Sequence, residues 1–118
     1  MPFAEENAAT FLTLLSLLSR VKDSFRTRLN NGTERERGFL APYLRFLDNL
    51  FHALSENQAE VELGQYGDAF MEEIGFYAAM IAGVDWQWSN FSHLLPEDYD
   101  EFLRTLAKFV RAYREQCK

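Results

Sequence analysis

Apolar residues recur at three- and four-residue steps along most of this chain, a period that predicts helices. The broadest pattern lies in residues 39–54, FLAPYLRFLDNLFHAL. Leu40, Tyr43, Leu47, Leu50 and Leu54 form one row, and Phe39, Phe46 and Ala53, with Leu44 and Phe51 beside them, widen it past a single seam. A helix this broadly apolar must meet at least two neighbours, so the segment is expected to be the central member of a bundle.

Upstream, Phe11, Leu14, Leu18, Val21 and Phe25 form the seam of a helix expected over residues 4–30, flanked by Leu15 and Leu29. Leu12 and Leu17 fall off that seam and predict a second contact surface. Asn30-Asn31-Gly32 is a stop signal, because Asn and Gly tolerate the left-handed conformation that closes many helices. Thr33-Glu34-Arg35-Glu36 fits a capping box that would start the next helix. Pro42 falls soon after it and predicts a break or kink between Glu36 and Pro42.

After Leu54 the polar stretch SENQAEVELGQYG, with Gly64 and Gly67, reads as a loop holding one helical turn. A third helix is expected over 68–82, with Phe70, Ile74, Tyr77 and Ile81 on one face, extended by Ala69, Phe76 and Met80, and Gly83 as its C-cap. VDWQWSNFSHLL then connects, through a short helix begun by Asp85, to a last helix opened by Pro96-Glu97-Asp98. Tyr99, Phe102, Leu106, Phe109 and Tyr113 form the seam of that helix. No strand pattern, internal repeat or low-complexity tract competes with this reading. The expected fold is all-α, a compact bundle of four main helices plus one or two short ones. At 118 residues it fits one domain spanning 1–118.

Composition refines the picture. The chain is 47% hydrophobic and 25% charged, with eleven Phe, five Tyr and two Trp, which supports a packed interior and an aromatic surface besides. The most apolar early run, AATFLTLLSLL at 8–18, is shorter than the about 20 residues a bilayer span requires, and Glu5 and Glu6 precede it where a secretory signal carries bases. One cysteine, Cys117, leaves no internal disulfide. A soluble, cytoplasmic protein with no membrane contact is the expectation.

Charge changes the picture more. The net charge is −6, yet its distribution is uneven: residues 46–103 hold twelve carboxylates and no Lys or Arg. If Glu56, Glu60 and Glu62 come near Asp68, Glu72 and Glu73, one side of the molecule is a negative surface suited to a basic partner. The bases fall before and after, at Arg20, Lys22, Arg26, Arg28, Arg35, Arg37 and Arg45 and again from Arg104 onward. In the last helix the order of acids before bases also suits the helix dipole.

Candidate chemistry is sparse. Asp48, His52 and Glu56 share a helix face at i, i+4, i+8, but half a site falls short of the four ligands of a closed zinc centre, so neither a metal nor another cofactor is expected. No glycine-rich phosphate loop or nucleophile elbow occurs, and Cys117 sits on a terminus, so no catalytic residue is assigned. The most distinctive short segment is Trp86-Gln87-Trp88, in which one indole is expected to anchor the connection and the other to be partly exposed as a binding hot spot; the pattern leaves open which, and Trp88 is the one assigned to the binding face.

The leading expectation is therefore a small acidic, non-enzymatic protein-binding module, of the kind found among inhibitors, immunity proteins, adaptors, regulators and assembly factors. It would use Trp88, Glu60, Glu62, Glu72 and Glu73 against a basic protein surface. A homodimer burying Leu12, Leu17, Phe39 and Phe46 is the related expectation. The runner-up is a nucleic-acid-associated subunit using Arg20, Arg28, Arg35, Arg37, Arg104 and Arg111, disfavoured by the acids Asp23, Glu34 and Glu36 set among those bases. The third is a small-molecule sensor or enzyme with an aromatic-lined pocket.

Overall fold

In a computed structural model the chain folds into helices throughout its described length, which comprises residues 2–64 and 67–116, with side chains described for 7–64 and 67–112. The expectations for the side chains of Tyr113 and Arg114, and for Cys117 and Lys118, lie outside those residues. The elements are α1 (Pro2–Asn31), α2 (Glu34–Glu56), the short α3 (Gln58–Glu62), α4 (Asp68–Gly83) and α5 (Tyr99–Gln116). Two 3-10 turns, Asp85–Asn90 and Ser92–Leu94, link α4 to α5. The all-α fold of four main helices is thus observed, and among the described residues no helix is long and apolar enough to cross a membrane.

The expected seams form the core. Phe11, Leu14, Leu18, Val21 and Phe25 of α1 are fully buried, as are Leu40, Leu47, Leu50 and Leu54 of α2. Phe102 and Phe109 of α5 join them, and Val61 plugs α3 onto the same cluster. The principal helix neighbours make a ring: α1 packs on α2 and α5, and α4 packs on α2 and α5 from the other side. The broad apolar face of α2 is therefore shared between α1 and α4, and α2 is one of four members rather than a central rod. The length of α1, about 45 Å for thirty residues, accounts for the 48 Å long axis.

Three local expectations are corrected. Leu17 belongs to the core, fully buried; among the described side chains of α1, Leu12 is the large apolar residue left exposed. α1 does not end in a left-handed residue: among the described residues positive φ occurs at Gly64 alone. At its end the Gly32 amide donates to the Leu29 carbonyl (3.5 Å), while one turn back Asn31 Nδ2 donates to the Thr27 carbonyl (3.1 Å) and the Arg28 guanidinium to that of Ser24 (3.2 Å). Gly32 is required for space, since a Cβ there would sit 2.9 Å from the Arg28 carbonyl oxygen.

Pro42 does not break α2, which runs unbroken from Glu34 to Glu56. Proline withholds one N–H and crowds the carbonyl four residues earlier. That residue is Gly38, exposed and without a side chain, so the helix absorbs the ring and leaves the Gly38 carbonyl without its usual donor. The capping box is present as expected: Thr33 Oγ1 accepts from the Glu36 amide (3.2 Å) and the Glu36 carboxylate from the Thr33 amide (2.8 Å). With His93 Nε2 also 2.6 Å away, these bonds hold the Glu36 carboxyl below the usual carboxylate range.

The elements converge on an aromatic cluster. Phe25 stacks on Trp88 with centroids 5.5 Å apart and meets Tyr43 and Tyr99 edge-on at 5.8 Å each. Inside it the Tyr43 and Tyr99 hydroxyls hydrogen-bond one another. The Trp88 indole N–H lies near enough to the Tyr99 hydroxyl to favour ionisation there, but it makes no hydrogen bond of acceptable geometry among the described residues. Burial raises both phenols above their ordinary value, Tyr43 the more strongly because the Tyr99 charge opposes its own.

The tyrosine pair predicts an alkaline limit. Raised folded-state values mean that its contribution is complete below the unfolded value of 10.0 and is lost as pH rises beyond it. Tyrosinate absorbance from two of the five tyrosines should therefore appear only with unfolding, as followed by circular dichroism. Tyr43→Phe and Tyr99→Phe should each cost about 1–3 kcal/mol, and the double variant less than their sum, in urea titrations at neutral pH. Gly32→Ala should destabilise by about 1 kcal/mol or more through its clash with the Arg28 carbonyl.

Candidate apolar groove between α2 and α4

Trp88 is only 4% exposed, so the surface role expected of it is corrected: it is a core residue, held by Phe25, Phe39, Tyr43 and Tyr99. The exposed indole is Trp86, at 70%. A 3-10 turn points residues two apart about 120° from each other, so with one indole packed inward the other is directed away from the core. The large aromatic cavity next to Trp88 selects the one that goes in.

α2 and α4 run antiparallel, because Phe46 meets Tyr77 at 5.0 Å while Phe39 lies against Trp88 and Phe91 beyond the end of α4. Where α4 ends, the α2 surface is left partly uncovered. An open groove of about 360 Å³ results, with Phe39, Pro42, Tyr43 and Phe46 on the α2 side and Met80 and Val84 on the other. Its polar elements are the Gln87 side chain and the backbone at Gly38, whose carbonyl Pro42 leaves without a donor. Phe76 (60% exposed) and Met80 (45%) extend the apolar surface along α4. Phe39, Tyr43 and Phe46 stack in sequence with centroids 6.4 Å apart, which fixes the groove wall.

The lining carries no carboxylate, imidazole, thiol or amine. Its one titratable group, Tyr43, is bonded to Tyr99 and held neutral by burial. Such a surface can bind by shape and apolar area, with Gln87 and the Gly38 carbonyl to orient what it binds.

The acidic residues expected to form a binding face lie on two helices. Glu60 and Glu62 sit on α3, which packs against α1 and α2, whereas Glu72 and Glu73 sit on α4, which packs against α2 and α5. All four are exposed, and among the described residues no cation lies within ion-pair distance of them. Glu73 precedes Met80 by seven residues, two turns, and so shares the helix face that borders the groove. Glu62 accepts from the Gln58 amide at 3.0 Å on the surface of α3.

Other carboxylates of the base-free stretch are neutralised from outside it. Asp48 accepts Lys22 at 2.7 Å and Arg26 at 3.6 Å, and Arg20 reaches Asp98 at 3.7 Å. Lys22 also lies over the Phe51 ring at 4.2 Å, tying α1 to α2. Asp48 is thereby engaged by bases, and no three metal-ligating side chains cluster among the described residues.

Much of the proposed arginine patch is likewise occupied or dispersed. Arg20 pairs with Asp98, Arg28 donates to its own helix, and Arg35 lies over Phe91 at 5.6 Å. Arg37 is exposed near the start of α2, while Arg104 and Arg111 are exposed on α5. The groove was not foreseen, because Phe76 and Met80 were expected to extend the core face of α4; that expectation is corrected, since both are exposed.

The chain matches no protein-family model, no curated protein and no solved structure. Its geometry predicts that Trp86→Phe will remove most of the iodide-quenchable tryptophan fluorescence. The remaining Trp88 emission should be blue-shifted and shielded; strong quenching of Trp88 in the folded variant would contradict its burial.

Proposed function

We propose that this protein is a non-enzymatic binding module that docks another protein on the α2–α4 groove. The observation that carries this reading is the combination of an open aromatic groove with exposed Phe76 and Met80 on its border. Scattered exposed apolar residues are ordinary on a protein surface, but a contiguous concave patch rimmed by polar groups is characteristic of an interaction site. The inert lining favours binding over catalysis, since it has nothing to donate, accept or attack with apart from a buried phenol. The role expected of Trp88 passes to the groove residues, and Glu72 and Glu73 remain beside it as exposed charges.

A small apolar ligand is the second reading, favoured by a volume within the range of small-molecule sites. The two differ in what covers Phe76, which lies outside the lining of the cavity. A protein partner would cover it, whereas a small ligand seated in the groove would leave it exposed.

Affinity capture from the source organism provides the test, with wild-type chain, Met80→Glu and the remote surface variant Leu12→Glu compared at moderate salt. All three should fold, as checked by circular dichroism and melting, because both sites are exposed. A specific partner retained by wild type and Leu12→Glu but lost at least about tenfold by Met80→Glu is expected. Equal retention by Met80→Glu would overturn the docking role.

A further inference from the structure

The groove also constrains what can fill it. Along α4 and its C-cap the strip from Glu73 through Phe76 and Met80 to Val84 spans twelve residues, about 16 Å, or three helical turns. Opposite, Gly38 to Phe46 covers about 12 Å of α2. Both walls are helices, and exposed Ala79 and Gly83 lie beside Phe76 and Met80, so a third helix can approach the ridge closely. A segment with apolar anchors at i, i+4 and i+7 would match this length.

Charge selects among such helices. Glu72 and Glu73 stand at one end of the strip without an ion-pair partner among the described residues, and residues 46–103 hold no Lys or Arg to offset them. At the other end the Arg35 guanidinium is held over Phe91. A second copy of this chain, with a net charge of −6, is disfavoured as the occupant by overall repulsion. A helix carrying bases at the Glu73 end meets both requirements at once.

We propose that the occupant of the groove is an amphipathic helix of a partner protein, with Lys or Arg placed against Glu72 and Glu73 and large apolar anchors seated between Phe46 and Met80. This rests on the docking role above and adds the chemistry of the partner. An aromatic anchor bearing an N–H donor suits the cavity, since the Gly38 carbonyl and Gln87 are the polar groups within reach of its lining.

The test uses a blocked synthetic peptide of about four helical turns, with apolar residues at i, i+4 and i+7, a tryptophan among them, and lysines on its flank. A second peptide replaces the lysines with glutamates. Amide and side-chain resonances of the full chain are followed by heteronuclear NMR during titration. The lysine peptide should shift Gly38, Phe46 and the Gln87 side chain saturably and bind at least about tenfold tighter than the glutamate peptide at low salt, with a smaller ratio at high salt. Glu73→Lys should erase or invert that preference without changing the melting profile.

Shifts confined to another face, or equal binding of the two peptides, would overturn the proposal. So would a dimer in sedimentation that Met80→Glu disperses, since a second copy would then cover the groove. A natural partner that depends on Met80 but presents an acidic or non-helical segment would sink this inference and leave the docking role standing.

Discussion

The Tyr43–Tyr99 hydrogen bond, enclosed by Phe25 and Trp88, is the constraint on which the arrangement of the bundle depends. It joins α2 to α5 across the ring of helices, and the aromatic rings around it bring in α1 and the connection after α4. A buried hydroxyl without a partner is costly, so each tyrosine fixes the position of the other. Apolar burial alone would allow the helices to slide by a turn. The pairing of two hydroxyls inside an otherwise greasy box permits far fewer registers, because a slip of either helix strands both groups. Hydrophobic area supplies most of the driving force, and this bond specifies which of several similar packings is adopted.

The groove follows from the same constraint. To deliver Trp88 into the box, the chain must leave the α4 direction just after Gly83 and turn inward through a 3-10 segment. α4 has 16 residues and α2 has 23, a difference of about 10 Å in length. Part of α2 is therefore covered by the narrow 3-10 turns rather than by a helix, and Phe39, Pro42 and Phe46 are only partly enclosed. A longer α4 would seal that face but would carry Trp88 away from Phe25. Opening of the groove and closing of the aromatic box are two consequences of one chain reversal.

Much of the fold was legible because it is written in local period and local chemistry. The α1 seam, the Thr33–Glu36 box and the single turn in the polar loop each depend on residues a few positions apart. What was hidden depends on distant partners. Periodicity could not choose between Trp86 and Trp88, which point apart whichever is buried; Phe25, more than sixty positions earlier, makes the choice. Pro42 reads as a breaker until the backbone at Gly38, whose carbonyl the ring crowds, is seen to be exposed. The base-free middle reads as one acidic field, yet Lys22 and Arg26 reach from α1 to neutralise Asp48, and α3 and α4 have different helix neighbours. Counting charges along a chain cannot locate the counter-ions that a bundle supplies from another helix.

Stability does not account for Phe76 and Met80. The core face of α4 is completed by Phe70, Met71, Ile74 and Ile81, so polar residues at 76 and 80 would cost the interior little. Exposed apolar side chains beside an open aromatic groove carry a liability, because two such surfaces can bury each other. Glu72 and Glu73 oppose that outcome: on the same helix and without ion pairs among the described residues, they make like surfaces repel while leaving apolar area available to an oppositely charged one. In the proposed docking, the same carboxylates set the sign of charge that a helix entering the groove must carry.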